Sequence, residues 1–277
     1  MLLHVFFVPF VSVLIPTQKC SFLLISQLLH FGVALSPALR DSFESKFLTM
    51  NIERNYPTNL GKGQILDLAK FIVTENFKHH SNNVLPQDYE DDINAIHEEE
   101  IKYIDNSEIF VVKNDTDEIT GAIRVLKWNY SDVLPIQKIF GINPLLAITN
   151  YNVNEIFHIG RFAIQKESKD VNLFKKLMVC AIAPVCAHKG NIAFAEIDSK
   201  LLRVLRLLGI KASVIGESIE YLGSETIPVA FTYDGLIDFF NKNKSLVSQE
   251  ALASSLVSTE LPESVVSENI EYNYSLV

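Results

Sequence analysis

Residues 118–128, EITGAIRVLKW, and 155–165, EIFHIGRFAIQ, decide how this chain is read. Each has the aliphatic and β-branched composition of a strand and carries one arginine, Arg124 in the first and Arg161 in the second. A guanidinium keeps its charge, so one set among apolar strand neighbours must reach solvent, a carboxylate or an anionic ligand. For either residue alone an exposed or salt-bridged arginine is the ordinary explanation. Two on neighbouring strands, with helix-rich segments on each side, point to the floor of a site.

Working outward, EIFVVK (108–113) joins residues 118–127 through Asn114, Asp115, Thr116 and Asp117, a run of turn formers, so the two read as an antiparallel hairpin. Upstream, Ile65, Leu68, Ala69, Ile72, Val73 and Phe77 recur at helical spacing between Gln64 and His80. A second helix is expected over 88–103, carrying Asp88, Glu90, Asp91, Asp92, Glu98, Glu99 and Glu100; the ordinary reading of such a run is a solvated face. Residues 134–147 suit a short helix broken by Gly141 and Pro144. Downstream, 171–188 has helical composition with a break at Pro184, NIAFAEI (191–197) is a strand, and 199–208 is a helix stopped by Gly209. Two strands (211–221 and 226–232) and a helix (234–241) follow. This order implies an α/β fold with a mixed, mainly antiparallel central sheet and helices on both faces.

With 48% apolar and 21% charged residues among 277, the chain can bury a sizeable core, and a net charge of −9 excludes a general nucleic-acid binder. Cys20, Cys180 and Cys186 are odd in number and form no ligand spacing, so a reduced, cytoplasmic setting without a metal is expected. Residues 1–49 differ in composition from the rest. Their apolar runs, 2–15 and 22–34, are each shorter than the ~20 residues of a spanning helix, so no stable membrane span is expected. We expect the domain to start at Met50, followed by the polar MNIERNYPTN, with a signal or anchoring segment as the alternative for 1–49. The domain is expected over 50–243, with a flexible tail over 244–277.

TGAIRVL (120–126), HIGRFAI (158–164), the helix between them and 191–197, and LLRVLRLLGIKASVIGESIEYLG (201–223) together resemble the GNAT superfamily of N-acyltransferases. Within it they look most like acyl-homoserine-lactone (autoinducer) synthases and long-chain N-acyl amino acid synthases. The G-x-x-R-L strand of autoinducer synthases is matched by Gly121 and Arg124, and E-x-S-R-F by Arg161 and Phe162, with His158 at the glutamate position and Gly160 at the serine. Family carboxylates before the hairpin are matched by Asp88, Asp91 or Asp92. Acetyl-CoA users carry a glycine-rich pyrophosphate loop after the central strand; here KESKDVNLFKK (166–176) has no glycine.

The resemblance implies aminolysis of an acyl thioester, supplied by CoA or acyl carrier protein as co-substrate, by an amine of an amino-acid-like acceptor. It implies no metal and no covalent enzyme intermediate. His158 is the candidate base or acceptor contact, since imidazole titrates near neutrality, although a histidine that only supports the fold fits equally. Arg161 and Arg124 would bind an acceptor carboxylate, or else pair structurally with Asp91 or Asp92. Phe162, with Phe110, Phe157, Phe174 and Phe194, would line an acyl tunnel or simply fill the core. Lys200, Arg203 and Arg206, three apart on one helix, would meet an acidic carrier protein or form a solvated face. A fold of this type that binds an acyl or amino-acid ligand without turnover is the second functional class.

Overall fold

In the hairpin that anchors the sequence reading, strands alternate between two buried faces. The computed structural model describes residues 57–80, 86–147, 152–221 and 224–257, all within one compact unit. After a two-residue strand β1 (Thr58–Asn59), helix α1 (Ile65–His80) buries Ile65, Leu68, Ala69, Ile72, Val73 and Phe77. Helix α2 (Tyr89–Tyr103) buries Ile93, Ile96, Glu100 and Tyr103, so its inward stripe includes a carboxylate. Strands β2 (Ser107–Lys113) and β3 (Ile119–Lys127) pair antiparallel, as the sequence predicts. Their turn is held by the Asn114 side chain, whose Oδ1 accepts from the Thr116 and Glu118 amides at 3.0 Å each.

Two short helices, α3 (Pro135–Phe140) and α4 (Pro144–Ala147), lead into β4 (Ile156–Ile164). Helix α5 (Leu173–Ile182) ends just before Pro184, followed by β5 (Ile192–Asp198) and α6 (Ser199–Leu207). Asp198 caps α6 by accepting from the Leu201 amide at 2.8 Å, and Gly209 leaves it with φ 84°. Strands β6 (Ala212–Val214), β7 (Ile219–Tyr221) and β8 (Ser224–Thr232) and helices α7 (Tyr233–Asn243) and α8 (Gln249–Val257) complete the described chain. The sheet runs β1-β2-β3-β4-β5-β8-β6, with β7 also on β8; β4 and β5 are parallel and every other pair is antiparallel.

Period-two alternation gives the sheet its two faces. On one, Ile123, Val125, Phe157, Ile159, Ala193 and Ala195 pack under α5 and α7. On the other, Ile109, Val111 and Ala122 are covered by α1 and α2, while Leu126, Ile156, Phe194 and Ala230 meet Ile136 of α3. The fold is therefore the mixed, mainly antiparallel sheet with helices on both faces that the element order implies.

Three expectations change. The stretch 211–221 is not one strand: β6 pairs with Val229–Phe231 and β7 with Ser224–Thr226, leaving a gap opposite Pro228, which has no N–H for the ladder. The tail does not begin at 244, because Val247 and Ala251 are buried in the main core and α8 spans Gln249–Val257. Its sequence lacks a strong amphipathic stripe, and Val247, Ala251 and the partly buried Leu252 tie it to the core. Strand β1 was not anticipated. The expectations for 1–49 and 258–277 lie outside the described residues. Cys180 and Cys186 are free and buried, which pushes both thiols up to about 12. Among the described residues no helix is long and apolar enough to cross a membrane.

Candidate active site

The face of the sheet beneath α2 carries a line of polar side chains. On β3 it reads Ala122, Arg124, Leu126; on β4 Ile156, His158, Gly160; on β5 Ile192, Phe194, Glu196. Arg124, His158 and Glu196 thus point the same way from three adjacent strands, between the two apolar clusters of that face. Arg124 is 1% exposed and its Nη2 lies 3.2 Å from His158 Nδ1, while His158 Nε2 lies 2.8 Å from Glu196 Oε2. Arginine can only donate, so Nδ1 accepts from Arg124 and Nε2 carries the proton given to Glu196. Gly160 makes this possible, since a Cβ there would stand 3.0 Å from His158 Cε1 and 3.3 Å from Arg124 Nη2.

Helix α2 closes the line from above. Arg124 Nη1 donates to Glu100 Oε1 at 2.5 Å, and its guanidinium lies over the Tyr103 ring. Arg161 reaches the same helix, Nε to Glu100 Oε1 and Nη2 to Glu99 Oε1, each at 2.7 Å. Simple alternation would send Arg161 to the opposite face with Ile159. Its backbone is instead left-handed, with φ 54°, and the β3–β4 register slips there, Ala122 opposite Ala163 but Arg124 opposite Gly160. Three steps on β4 against two on β3 make a β-bulge, and the bulge turns Arg161 toward α2.

The bulge coincides with a parting of strands. β4 pairs with β5 only through Ile156, Phe157 and His158, although both strands run on. A cavity of about 460 Å³ occupies the gap and takes walls from both faces of the sheet. Asp92, Glu99, Arg161 and Glu196 line its polar side; Ile159, Met178, Ile197 and Phe231 line its apolar side. Such a passage is a natural place for a ligand with an apolar chain and a polar end. Among the described residues no group of His, Cys, Asp and Glu is placed to hold a metal ion.

Charge in the site is tightly matched. Burial pushes the Glu99 carboxyl up, but Arg161, Arg124 and Lys138 together outweigh it and hold it below the usual glutamate range. Burial lowers the Arg124 guanidinium, opposed by Glu100; for Arg161 the same burial is outweighed by Glu100 and Glu99, which raise it. Burial raises Asp92, aided by Asp88 and Asp91. The Tyr221 phenol on the cavity wall is raised chiefly by burial.

Of the residues expected at the site, Arg124, His158, Arg161, Phe162 and Asp92 do line one cavity. Asp91 is exposed and does not line it. Neither aspartate partners the arginines; Glu99 and Glu100, two turns further along α2, do so instead. Phe110, Phe157 and Phe194 are core, whereas Phe162 lines the cavity and packs edge-on to Phe174 at 5.2 Å. His158 has both ring nitrogens engaged and is 1% exposed, which does not suit an independent base. Sequence reasoning passed over Glu196, yet the signal was present: a carboxylate inside an apolar strand, in phase with Ile192 and Phe194. Lys200, Arg203 and Arg206 are exposed on α6. In the glycine-free loop, Asp170 accepts from the Asn172 amide at 2.8 Å and pairs with Lys176 at 2.8 Å, so the N-terminus of α5 already holds an internal carboxylate.

No family model matches the sequence and no curated protein matches it. Among solved structures the chain is similar to FeeM, an N-acyl amino acid synthase from uncultured soil microbes, at 16% identity and TM-score 0.45, over 65% of this chain and 96% of that one. It is similar to BjaI, a CoA-dependent acyl-homoserine lactone synthase, at 12% identity and TM-score 0.46, over 73% of this chain and 99% of that one. It is also similar to a GNAT-family acetyltransferase from Staphylococcus aureus Mu50, at 12% identity and TM-score 0.41, over 64% of this chain and 98% of that one. At such identities chemistry has to be read from this chain's own side chains.

Proposed function

We propose that this protein is an N-acyltransferase that moves an acyl group from a thioester to an amine. The observation that carries the reading is the cavity running between β4 and β5, lined by apolar side chains on the α5 face of the sheet and by carboxylates set beside apolar residues of α1 and α2 on the other. An acyl chain suits the side formed by Ile159, Met178, Ile197 and Phe231. An amine suits the side formed by Asp92, Glu99 and Glu196. Where the strands part, the edge of β4 beyond His158 has no strand partner on that side among the described residues, so its backbone groups are available to a carbonyl oxygen.

The amine nitrogen attacks the thioester carbon, the C–N bond forms, the C–S bond breaks, and the thiolate takes up a proton as the free thiol. An acceptor ammonium therefore sheds two protons overall, one retained by the thiol and one released. Aminolysis needs only positioning, an oxyanion contact and a proton acceptor. Because Glu99 and Glu100 already pair with the two arginines, an amino-acid carboxylate would have to displace Glu99 from Arg161. Asp170 already takes up the Asn172 amide at the start of α5, and the loop has no glycine to let a diphosphate approach the backbone, which fits a donor recognised through its acyl and pantetheine parts. The exposed basic row Lys200, Arg203 and Arg206 beside the cavity suits an acidic acyl carrier protein.

Mass spectrometry of extracts from cells expressing the chain, compared with cells lacking it, tests the proposal. A new N-acyl species names both substrates. No new species, with the folded protein thermally stabilised by acyl thioesters but releasing no thiol, would instead establish a binding module.

A further inference from the structure

We infer that Glu196 is the catalytic residue that takes the proton from the attacking amine, an inference that rests on the transferase reading above. Three observations carry it. First, the hydrogen-bond chain leaves Glu196 as an acceptor only: Arg124 donates to His158 Nδ1, and His158 Nε2–H donates to both Glu196 oxygens, at 2.8 and 3.1 Å. A neutral donor orients the carboxylate without cancelling its charge. Second, most other carboxylates lining the cavity are committed elsewhere: Glu99 faces Arg161 and Lys138, Glu75 faces Lys78, and Asp198 caps α6 through the Leu201 amide. Asp92 lies seven residues before Glu99 on α2, about 10 Å along the helix. Third, Glu196 is two residues beyond Phe194, the last β5 residue paired with β4, and its side chain is 11% exposed on the cavity wall. That puts a carboxylate where the sheet opens.

The step balances simply. The acceptor ammonium gives one proton to the Glu196 carboxylate, and the freed lone pair forms the C–N bond. The second nitrogen proton leaves as the C–S bond breaks and ends on the thiol. Glu196 then returns its proton to water through the open side of the cavity. His158 is a positioning residue in this scheme, replaced as proton acceptor by the carboxylate one strand away.

The full chain, with octanoyl-CoA and octanoyl-pantetheine as donor probes, is assayed for thiol release with two acceptor probes. Ethylamine is an ammonium near neutral pH and needs a base; hydroxylamine is already unprotonated there. Glu196→Gln keeps an oxygen for His158 but holds a proton poorly, so its rate should fall about a hundredfold with ethylamine and less than about tenfold with hydroxylamine. Glu196→Asp, which keeps a carboxylate, should recover part of the ethylamine rate. Equal losses with both acceptors, or no loss with either, would overturn the role. If Glu196→Gln does not fold, Glu196→Asp decides: a drop confined to ethylamine supports the role and an equal drop removes it. Wild-type protein that releases thiol with neither acceptor overturns the transferase reading, and this role with it.

Discussion

Glu100 is the residue on which the site's integrity turns. It is fully buried and accepts from two arginines, so removing either partner leaves charge behind in the interior. Arg124→Ala should therefore cost about 3–5 kcal/mol, read as a lowered urea midpoint. Arg161 poses a different problem, because its left-handed φ of 54° strains any residue with a Cβ. Arg161→Gly and Arg161→Ala lose the same ion pairs, but glycine relieves the backbone, so the glycine variant should be the more stable by about 1 kcal/mol in parallel urea titrations. Equal stability would mean that the bulge relaxes when the arginine is gone.

At the scale of elements, the site depends on α2 being docked across β3 and β4 and on α6 starting where β5 ends. Asp198 closes β5 and caps α6 through the Leu201 amide. Asp198→Ala should cost about 1 kcal/mol in chemical denaturation, the ordinary worth of such a cap. The docking of α2 is pH-sensitive. Glu99 is held below the usual glutamate range in the folded protein, so its pairing adds stability above the unfolded glutamate value of 4.5. That stability is lost as pH falls from there through the lower folded value. Glu99→Gln should flatten this acid limb below about pH 4.5 and leave the curve between pH 5 and 8 with the wild-type slope, as thermal melts across pH would show.

For the whole molecule, Val247 and Ala251 extend the main core beyond α7. A chain ending at 243 should be less stable than one ending at 257 by about 2 kcal/mol or more, the burial of a valine alone accounting for most of it. An unchanged denaturation midpoint would show that α8 adds nothing to the core.

Local pattern was enough for the elements that carry their own signal. The stripes of α1 and α2, the 114–117 turn, the break at Pro184 and the stop at Gly209 are each written within a few residues, because helix periodicity, turn chemistry and proline geometry are local. The same locality made Arg124, His158 and Arg161 conspicuous, as polar residues in apolar strands. Which carboxylates would meet them was not local. Asp92, Glu99 and Glu100 share one helix face, and only the placement of α2 over the sheet selects the last two. The bulge at Arg161 came from the β3–β4 register, and the cavity from β4 and β5 parting after His158. Glu196 acquired its place by lying one strand over from His158. Sequence by itself determined the elements with a strong local pattern and the polar residues in their strands; tertiary structure alone decided β1, α8, the division of 211–221 and the partners of the polar residues, since contacts between distant segments depend on register and docking that no local pattern encodes.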